Sequence, residues 1–547
     1  MMSQKWCEQV LVMGMGMLFF GQLVQASDFG VEVQQLLEAQ SYKLFGFESP
    51  TEAPATDADV VSREHASADE RQILAEGLEA EFVARNTAMH GDQITFWPND
   101  RDYTHLIVCI EQTRNGTTPG GAEGFNASVQ RVNVTTGAVE TILHGMSRCD
   151  GIRTTAWGTI LANEETNDGR TYEIIDPLHT TDHWVADRTT GDIRDGVDSP
   201  TPSHSVIQRI SLPTMAWEGM TVRSSGVVIA GDELRPGTGT LNTNGGSIFK
   251  FVPEFPYDAA DGPIERLSDS PLRSGATYAM QISCRERSSS SFPQYGQGCE
   301  VGEGAWVAVD PMNARSDAAQ NAATGYYRPE DLHTDPTFDG PGIRFCWTNT
   351  GRSRASHFGE VVCAIDANPT GTGEQVDSRT GLTYLADATQ DQGFAVIVVN
   401  RLIEGDKRFN SVDNIAFQPN TGNLYVVEDA HFGEVYACLP DGSDRDIKTD
   451  GCVSMLSVAD PVAEPTGFVF DGTGRVAFYF VQHGSQVDSL LDFDSNPVDG
   501  RTDDLMRISG FNVNDDNNGD DDGHEGDNDQ DGGDRHERHS RPAHRKP

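Results

Sequence analysis

Apolar residues in this chain come in short runs separated by turn-forming residues. Runs at 104–110, 129–134, 206–212, 226–230, 247–252, 306–309, 343–347, 360–365, 395–399, 423–427, 435–438 and 476–481 are rich in β-branched and aromatic residues, the composition of half-buried pleated strands. Turn chemistry sits between them, as in Thr135-Thr136-Gly137, Asn420-Thr421-Gly422 and Asp471-Gly472-Thr473-Gly474. Helical periodicity is scarce. So many short strands predict an all-β fold, and among sandwich, barrel and propeller their number favours a β-propeller.

Residues 413–417, 423–427 and 433–438 read as three successive antiparallel strands of one blade, and 467–470 with 476–481 start another. Their spacing is irregular, so no clean repeat period fixes the blade count. The polar stretches 167–202 and 310–332 are expected as long loops on one face. Segment 78–84 is ambiguous, because its Ala and Glu favour helix, whereas 91–98 reads as a strand running into a turn.

The ends differ in texture. Lys5, the apolar stretch 10–24 and the small residues around Ala26 make 1–26 a secretory signal, too short in its apolar part for a comfortable membrane span. Residues 27–75 are expected as an N-terminal surface arm, 76–509 as the propeller, and 510–547 as a disordered tail. The tail is almost wholly Asp, Asn, Gly and Glu over 514–534 and basic with several His after that, and such a block has no apolar surface to bury.

Charge narrows the function. A formal net charge of −44 repels nucleic acid and anionic membrane, so neither is an expected partner, and the excess carboxylates suit a protein that works with divalent cations. A monomer is expected, because a propeller closes its own sheet edges. Removing Cys7 with the signal leaves Cys284 with Cys299, Cys346 with Cys363, and Cys438 with Cys452 as close-spaced couples, consistent with an oxidising, periplasmic or secreted location. Cys109 and Cys149 remain, either bonded to each other or with one kept as a thiol for chemistry.

Candidate chemistry lies in short acid-rich motifs that hang off the strand-like runs: Arg148-Cys149-Asp150-Gly151, Trp157-Gly158-Thr159, Glu164-Glu165, Trp217-Glu218-Gly219-Met220, Gly231-Asp232-Glu233, Arg328-Pro329-Glu330-Asp331, Asp413-Asn414 and Glu464-Pro465-Thr466-Gly467. Carboxylates are hard oxygen ligands and a thiolate is softer, so a fold that gathers these motifs builds a site for hard cations plus one iron-like ion. Trp157 and Trp217 read most simply as core aromatics.

As an ordered set, these motifs resemble the PhoX-type alkaline phosphatases and their wider superfamily, over about 91–483. The resemblance implies a propeller of about six blades that hydrolyses phosphate monoesters with iron(III) and calcium ions at one mouth. By motif position it makes Cys149, Glu218 and Glu330 iron ligands, with Cys149 a thiolate and Cys109 a buried bystander, and makes Arg328 the phosphate-binding arginine. Glu111, Glu165, Asp232, Asp413, Asn414 and Glu464 become candidates for calcium or supporting contacts. The N-terminus has no arginine pair, whereas such phosphatases usually leave the cytoplasm through a twin-arginine signal, so a calcium-only site is the alternative. A lactonase-like calcium hydrolase and a non-catalytic extracellular binding propeller are the competing functions, since fold alone fixes neither.

Overall fold

The computed structural model describes residues 29–237, 245–282, 300–378, 380–385, 395–440, 451–482 and 501–513. Six blades radiate from six inner strands, Gly91–Trp97, Cys149–Thr154, Trp217–Val222, Pro329–Thr334, Val412–Phe417 and Glu464–Phe470, with antiparallel pairing except where His183–Asp187 runs parallel to Val139–His144 at the outer side of the first. Each inner strand packs beside the next, and the last returns to the first, so the ring closes as a six-bladed propeller. The third and fourth blades are continuous, because Gly302–Val309 pairs with Gly275–Ile282 on one side and Ile397–Glu404 on the other.

Middle strands lie between neighbouring blades and are buried on both faces, so they read as continuous apolar runs instead of alternating ones. His105–Ile110 is buried from Leu106 onward, and Leu424–Glu428 and Ile343–Asn349 are buried throughout. Trp157 and Trp217 are buried core aromatics, as expected. The indole of Trp157 donates to Glu173 at 2.7 Å and that of Trp217 to the Pro213 carbonyl at 3.0 Å, which meets the cost of burying an N–H.

The ambiguous segment is a strand. Glu79–Ala88 pairs with Thr502–Ser509, so this early strand completes the blade built by the last three and tertiary pairing overrides local helix propensity. The stretch expected as a surface arm is built into the fold. Phe45 and Phe47 are buried, and Gln72–Leu74 is the fifth strand of the fifth blade. Two expected loops also change. Residues 167–202 contain the strands Thr171–Ile175, His183–Asp187 and Asp192–Arg194, and 310–332 contains the helix Ala314–Gln320 and the start of an inner strand. Their polar residues do not rule out strands, because buried ones such as Glu173 are paired inside the fold, here with Trp157 and Arg209.

At the C-terminus the core extends past 510, since Phe511 is buried against Tyr425 and Phe470. The signal, residues 514–547 and the Cys284–Cys299 couple lie outside the described residues. Cys346–Cys363 and Cys438–Cys452 form the expected disulfides, each between residues directly opposite in register. Among the described residues no helix is long and apolar enough to cross a membrane.

Candidate metal centre

The six inner strands share one irregularity. In the first blade Gly91 faces Ile110 and Ile94 faces Val108, so three steps on the inner strand match two on its partner. The same extra residue lies between Cys149 and Ile152, Trp217 and Met220, Pro329 and Leu332, Val412 and Ile415, and Thr466 and Val469. An extra residue of this kind kinks a strand and re-aims its side chains. In five blades the first residue of the bulge is an acid: Asp92, Asp150, Glu218, Glu330 and Asp413. The sixth strand supplies Glu464 at its first residue instead.

Glycine follows the acid where strands come closest. A Cβ on Gly151 would lie 2.0 Å from the Glu218 carbonyl oxygen, and one on Gly219 would lie 1.9 Å from the Asp331 carboxylate. A second tier of residues follows the second strand of each of the first five blades: Glu111, Glu165, Glu233, Thr350 and Asp429. Their backbone amides donate to the residue ahead of the inner strand, at 2.7 Å for Glu111 to His90, 2.8 Å for Glu165 to Arg148 and 3.1 Å for Thr350 to Arg328. His90, Arg148, Arg328 and Ser411 occupy this equivalent position and all have left-handed φ, between 54° and 68°, a conformation that costs a non-glycine residue energy and concentrates at functional sites.

These two tiers gather carboxylates at one mouth. Asp92, Glu111 and Asp150 form one group, Asp150, Glu165 and Glu218 a second, and Glu218, Glu330 and Asp413 a third, with oxygens in each group within 4.8 Å of one another. Two oxygens 2.3–2.6 Å from one calcium ion lie at most about 5 Å apart, so each group fits one such cation. Asp150 and Glu218 each belong to two groups, which links all three. Glu165 is in hydrogen-bonding contact with Glu111 and Glu233, Glu330 with Glu218, and Glu464 with Asp429.

Carboxylates this close cannot all be charged unless a proton or a cation lies between them. Burial, reinforced by neighbouring acids, pushes Asp92, Asp150, Glu165, Glu218, Asp413 and Glu464 well above the usual carboxylate range. Burial also raises Glu330 to about 7 although Arg328 opposes it. Among the described residues, buried oxygens of Asp92, Glu218 and Asp413 have no hydrogen-bond donor. A set of this composition fits hard cations.

A group whose pKa is raised on folding contributes stability fully below its unfolded value, about 4, and loses it as pH climbs through the folded value. The chelated protein should therefore lose Tm as pH rises from about 5 to 8, a window spanning the value of about 7 for Glu330. Added calcium should flatten that slope, and calorimetry with and without chelator reads both.

Several expected ligands stand elsewhere. Cys149 is joined to Cys109 in a disulfide that ties the second strand of the first blade to the inner strand of the second. A disulfide sulfur carries no thiolate charge, so the assignment of Cys149 as an iron ligand, and of Cys109 as a bystander, is corrected. Asp232 is also outside the cluster. It accepts from Arg315 at 2.6 and 2.8 Å and from the Ala216 amide at 3.1 Å, while strand alternation turns its neighbour Glu233 to the mouth. Asn414 spends its Oδ1 on the Gly467 amide at 2.6 Å, pinning adjacent inner strands. Glu464 reaches the mouth beside Asp429.

Arg328 does stand at the centre. It pairs with Glu233 and, at 3.2 Å, with Glu330, while Thr350 bonds the same Glu330 oxygen. Arg148 holds the matching place two blades back and pairs with Glu111 and Glu165. Asp92, Asp150, Glu233 and Arg148 carry no assignment from sequence. The signal that finds Asp92 and Asp150 is the recurring triplet of an acid, then Gln, Gly, Asp or Asn, then Ile, Leu or Met, at Asp92, Asp150, Glu218, Glu330 and Asp413.

Below the acids, Gln93 donates to Asp150 at 3.2 Å and accepts from Arg153 at 2.7 Å, and Arg153 reaches Asp331 at 2.8 Å. This chain fixes the orientation of a shared carboxylate. Gln93→Met should weaken cation binding about tenfold, the usual cost of losing an outer partner of a metal ligand, as read by calorimetric titration with calcium.

A closed six-bladed propeller with linked carboxylate groups and an arginine at one mouth defines a class of propeller proteins with an acidic mouth that could hold cations. The chain matches the model of the family described as alkaline phosphatase PhoX over residues 57–485, and it belongs to that family. Among solved structures it is similar to Pseudomonas fluorescens PhoX in complex with vanadate, a transition state analogue, at 14% identity and a TM-score of 0.50, covering 85% of this chain and 98% of that one. It is also similar to the PQQ-bound aldose sugar dehydrogenase of Streptomyces coelicolor, at 10% identity, TM-score 0.38, 79% of this chain and 98% of that one. A Xanthomonas campestris gluconolactonase matches at 9% identity, TM-score 0.36, 84% of this chain and 96% of that one. Among curated proteins none matches the chain.

Proposed function

We propose that this chain is an exported, metal-dependent phosphomonoesterase whose cations sit in the three linked carboxylate groups. The observation that carries the reading is the guanidinium of Arg328 beside Glu330, at the edge of groups that share Asp150 and Glu218. Bound cations supply charge neutralisation for the phosphoester and lower the pKa of bound water. Asp150 and Glu218, each shared by two of the groups, are the residues that would hold neighbouring cations. Arg328 forks onto phosphate oxygens, a planar recognition that lysine does not reproduce. Glu233 orients that guanidinium, and the left-handed turn at Arg328 aims it over the mouth.

The oxygen donors favour calcium, with iron(III) as the other hard cation the resemblance implies. Metal analysis of the purified protein decides between calcium alone and calcium with iron. Phosphate release from an aryl phosphate at alkaline pH should be abolished by chelators and restored by cations. Arg328→Ala should lower kcat/KM about a hundredfold. Full activity in that variant, or hydrolysis of lactones but not phosphoesters, would overturn the assignment.

A further inference from the structure

A cleft of about 490 Å³ opens beside the first carboxylate group, and Glu111 belongs to both. That volume suits a small ligand. Its lining includes the cationic or protonatable side chains of His90, Arg148 and Arg501 and the hydrogen-bonding side chains of Gln112, Thr113 and Asn115. Among the described residues its lining holds no Phe, Tyr or Trp, and Met89 is its one apolar side chain. Arg148 and Arg328 occupy equivalent turns, but 42% of the Arg148 side chain is exposed against 19% for Arg328. Both guanidiniums lean on mouth carboxylates, Arg328 on Glu233 and Glu330 and Arg148 on Glu111 and Glu165, but only Arg148 also lines the cleft.

We propose that this cleft receives the alcohol portion of the substrate and selects esters whose alcohol is small, polar and carries a second anionic group, with Arg148 as its anchor. The inference rests on the phosphatase reading and deepens it. Because Glu111 belongs to both the first carboxylate group and the cleft, an ester whose phosphoryl group is held at the mouth with its alcohol on the Glu111 side would extend that alcohol toward Arg148 and His90. A carboxylate or second phosphate there accepts a charge-assisted pair of hydrogen bonds from a guanidinium. Gln112, Thr113 and Asn115 offer partners to hydroxyl groups, and a bulky apolar alcohol would bury these polar groups without partners.

The test compares 2-phosphoglycerate with glycerol 2-phosphate, which differ only in a carboxylate replacing one hydroxymethyl group. With the cation-loaded protein, kcat/KM should be at least about tenfold higher for 2-phosphoglycerate, the effect of one good charge-assisted contact. Arg148→Gln should bring the ratio close to one, mainly through KM for 2-phosphoglycerate, and His90→Gln should lower it part of the way. A wild-type ratio near one, with both esters hydrolysed, overturns the cleft assignment and leaves the phosphatase reading standing. A ratio unchanged in Arg148→Gln overturns the anchor. Hydrolysis of neither ester overturns the phosphatase reading, and this inference with it.

Discussion

Glu218→Gln is expected to lower phosphoester turnover by about a thousandfold or more and to remove two cations from the purified protein instead of one. Glu218 belongs to both the second and the third carboxylate groups, is 5% exposed, and has a buried oxygen with no donor among the described residues. Glutamine keeps its length but replaces a charged oxygen with an amide N–H₂ that points positive hydrogens at the cation. Both neighbouring sites lose a ligand at once. Glu165 belongs to one group only, so Glu165→Gln should cost one cation. Metal content by elemental analysis separates the cases. Loss of a single equivalent from both variants would mean that Glu218 does not bridge.

The all-β reading was legible because a blade buried between two others needs continuous apolar strands, and runs such as 423–427 and 343–347 announce themselves. The blade repeat was hidden by unequal excursions between inner strands, although the bulge triplet around Asp92, Asp150, Glu218, Glu330 and Asp413 recurs regardless of spacing. Asp232 and Glu233 show a finer limit. A two-acid motif does not tell which residue faces the mouth until the pairing of Trp217 with Asp232 sets the register. For Cys109 and Cys149, the oxidising-compartment argument left a disulfide open, and the structure has one. The thiolate came from the family resemblance alone. Residues 27–75 misread as an arm because Phe45, Phe47 and Gln72 to Leu74 gain their burial from strands hundreds of residues later, a contact no local pattern encodes.

Those long-range contacts set the largest expected stability effect. Asp504→Ala should destabilise the protein by about 3–5 kcal/mol, the cost of stripping a partner from a buried ion pair. Asp504 is fully buried, with Arg63 and Arg85 each at 3.0 Å and Arg71 at 3.5 Å. Arg63 and Arg71 come from the N-terminal segment, Arg85 from the first strand of the closing blade, and Asp504 from its C-terminal partner strand. One carboxylate thus ties the segment ahead of the propeller to the strand that closes it. Its neighbour Asp503 accepts the Gly91 amide at 2.8 Å, next to Asp92 of the first carboxylate group, so loosening the closure also reaches the mouth. Without the carboxylate, guanidiniums would remain buried with reduced compensation, and the N-terminal segment should become accessible to limited proteolysis before the rest of the chain. Adding Arg63→Met and Arg85→Met to Asp504→Ala should recover part of the loss, because the penalty lies in the unpaired charges. Urea midpoints with constant m-values measure both effects. A loss below about 1 kcal/mol, the range of exposed pairs, would mean that water reaches these arginines and that strand pairing alone closes the ring.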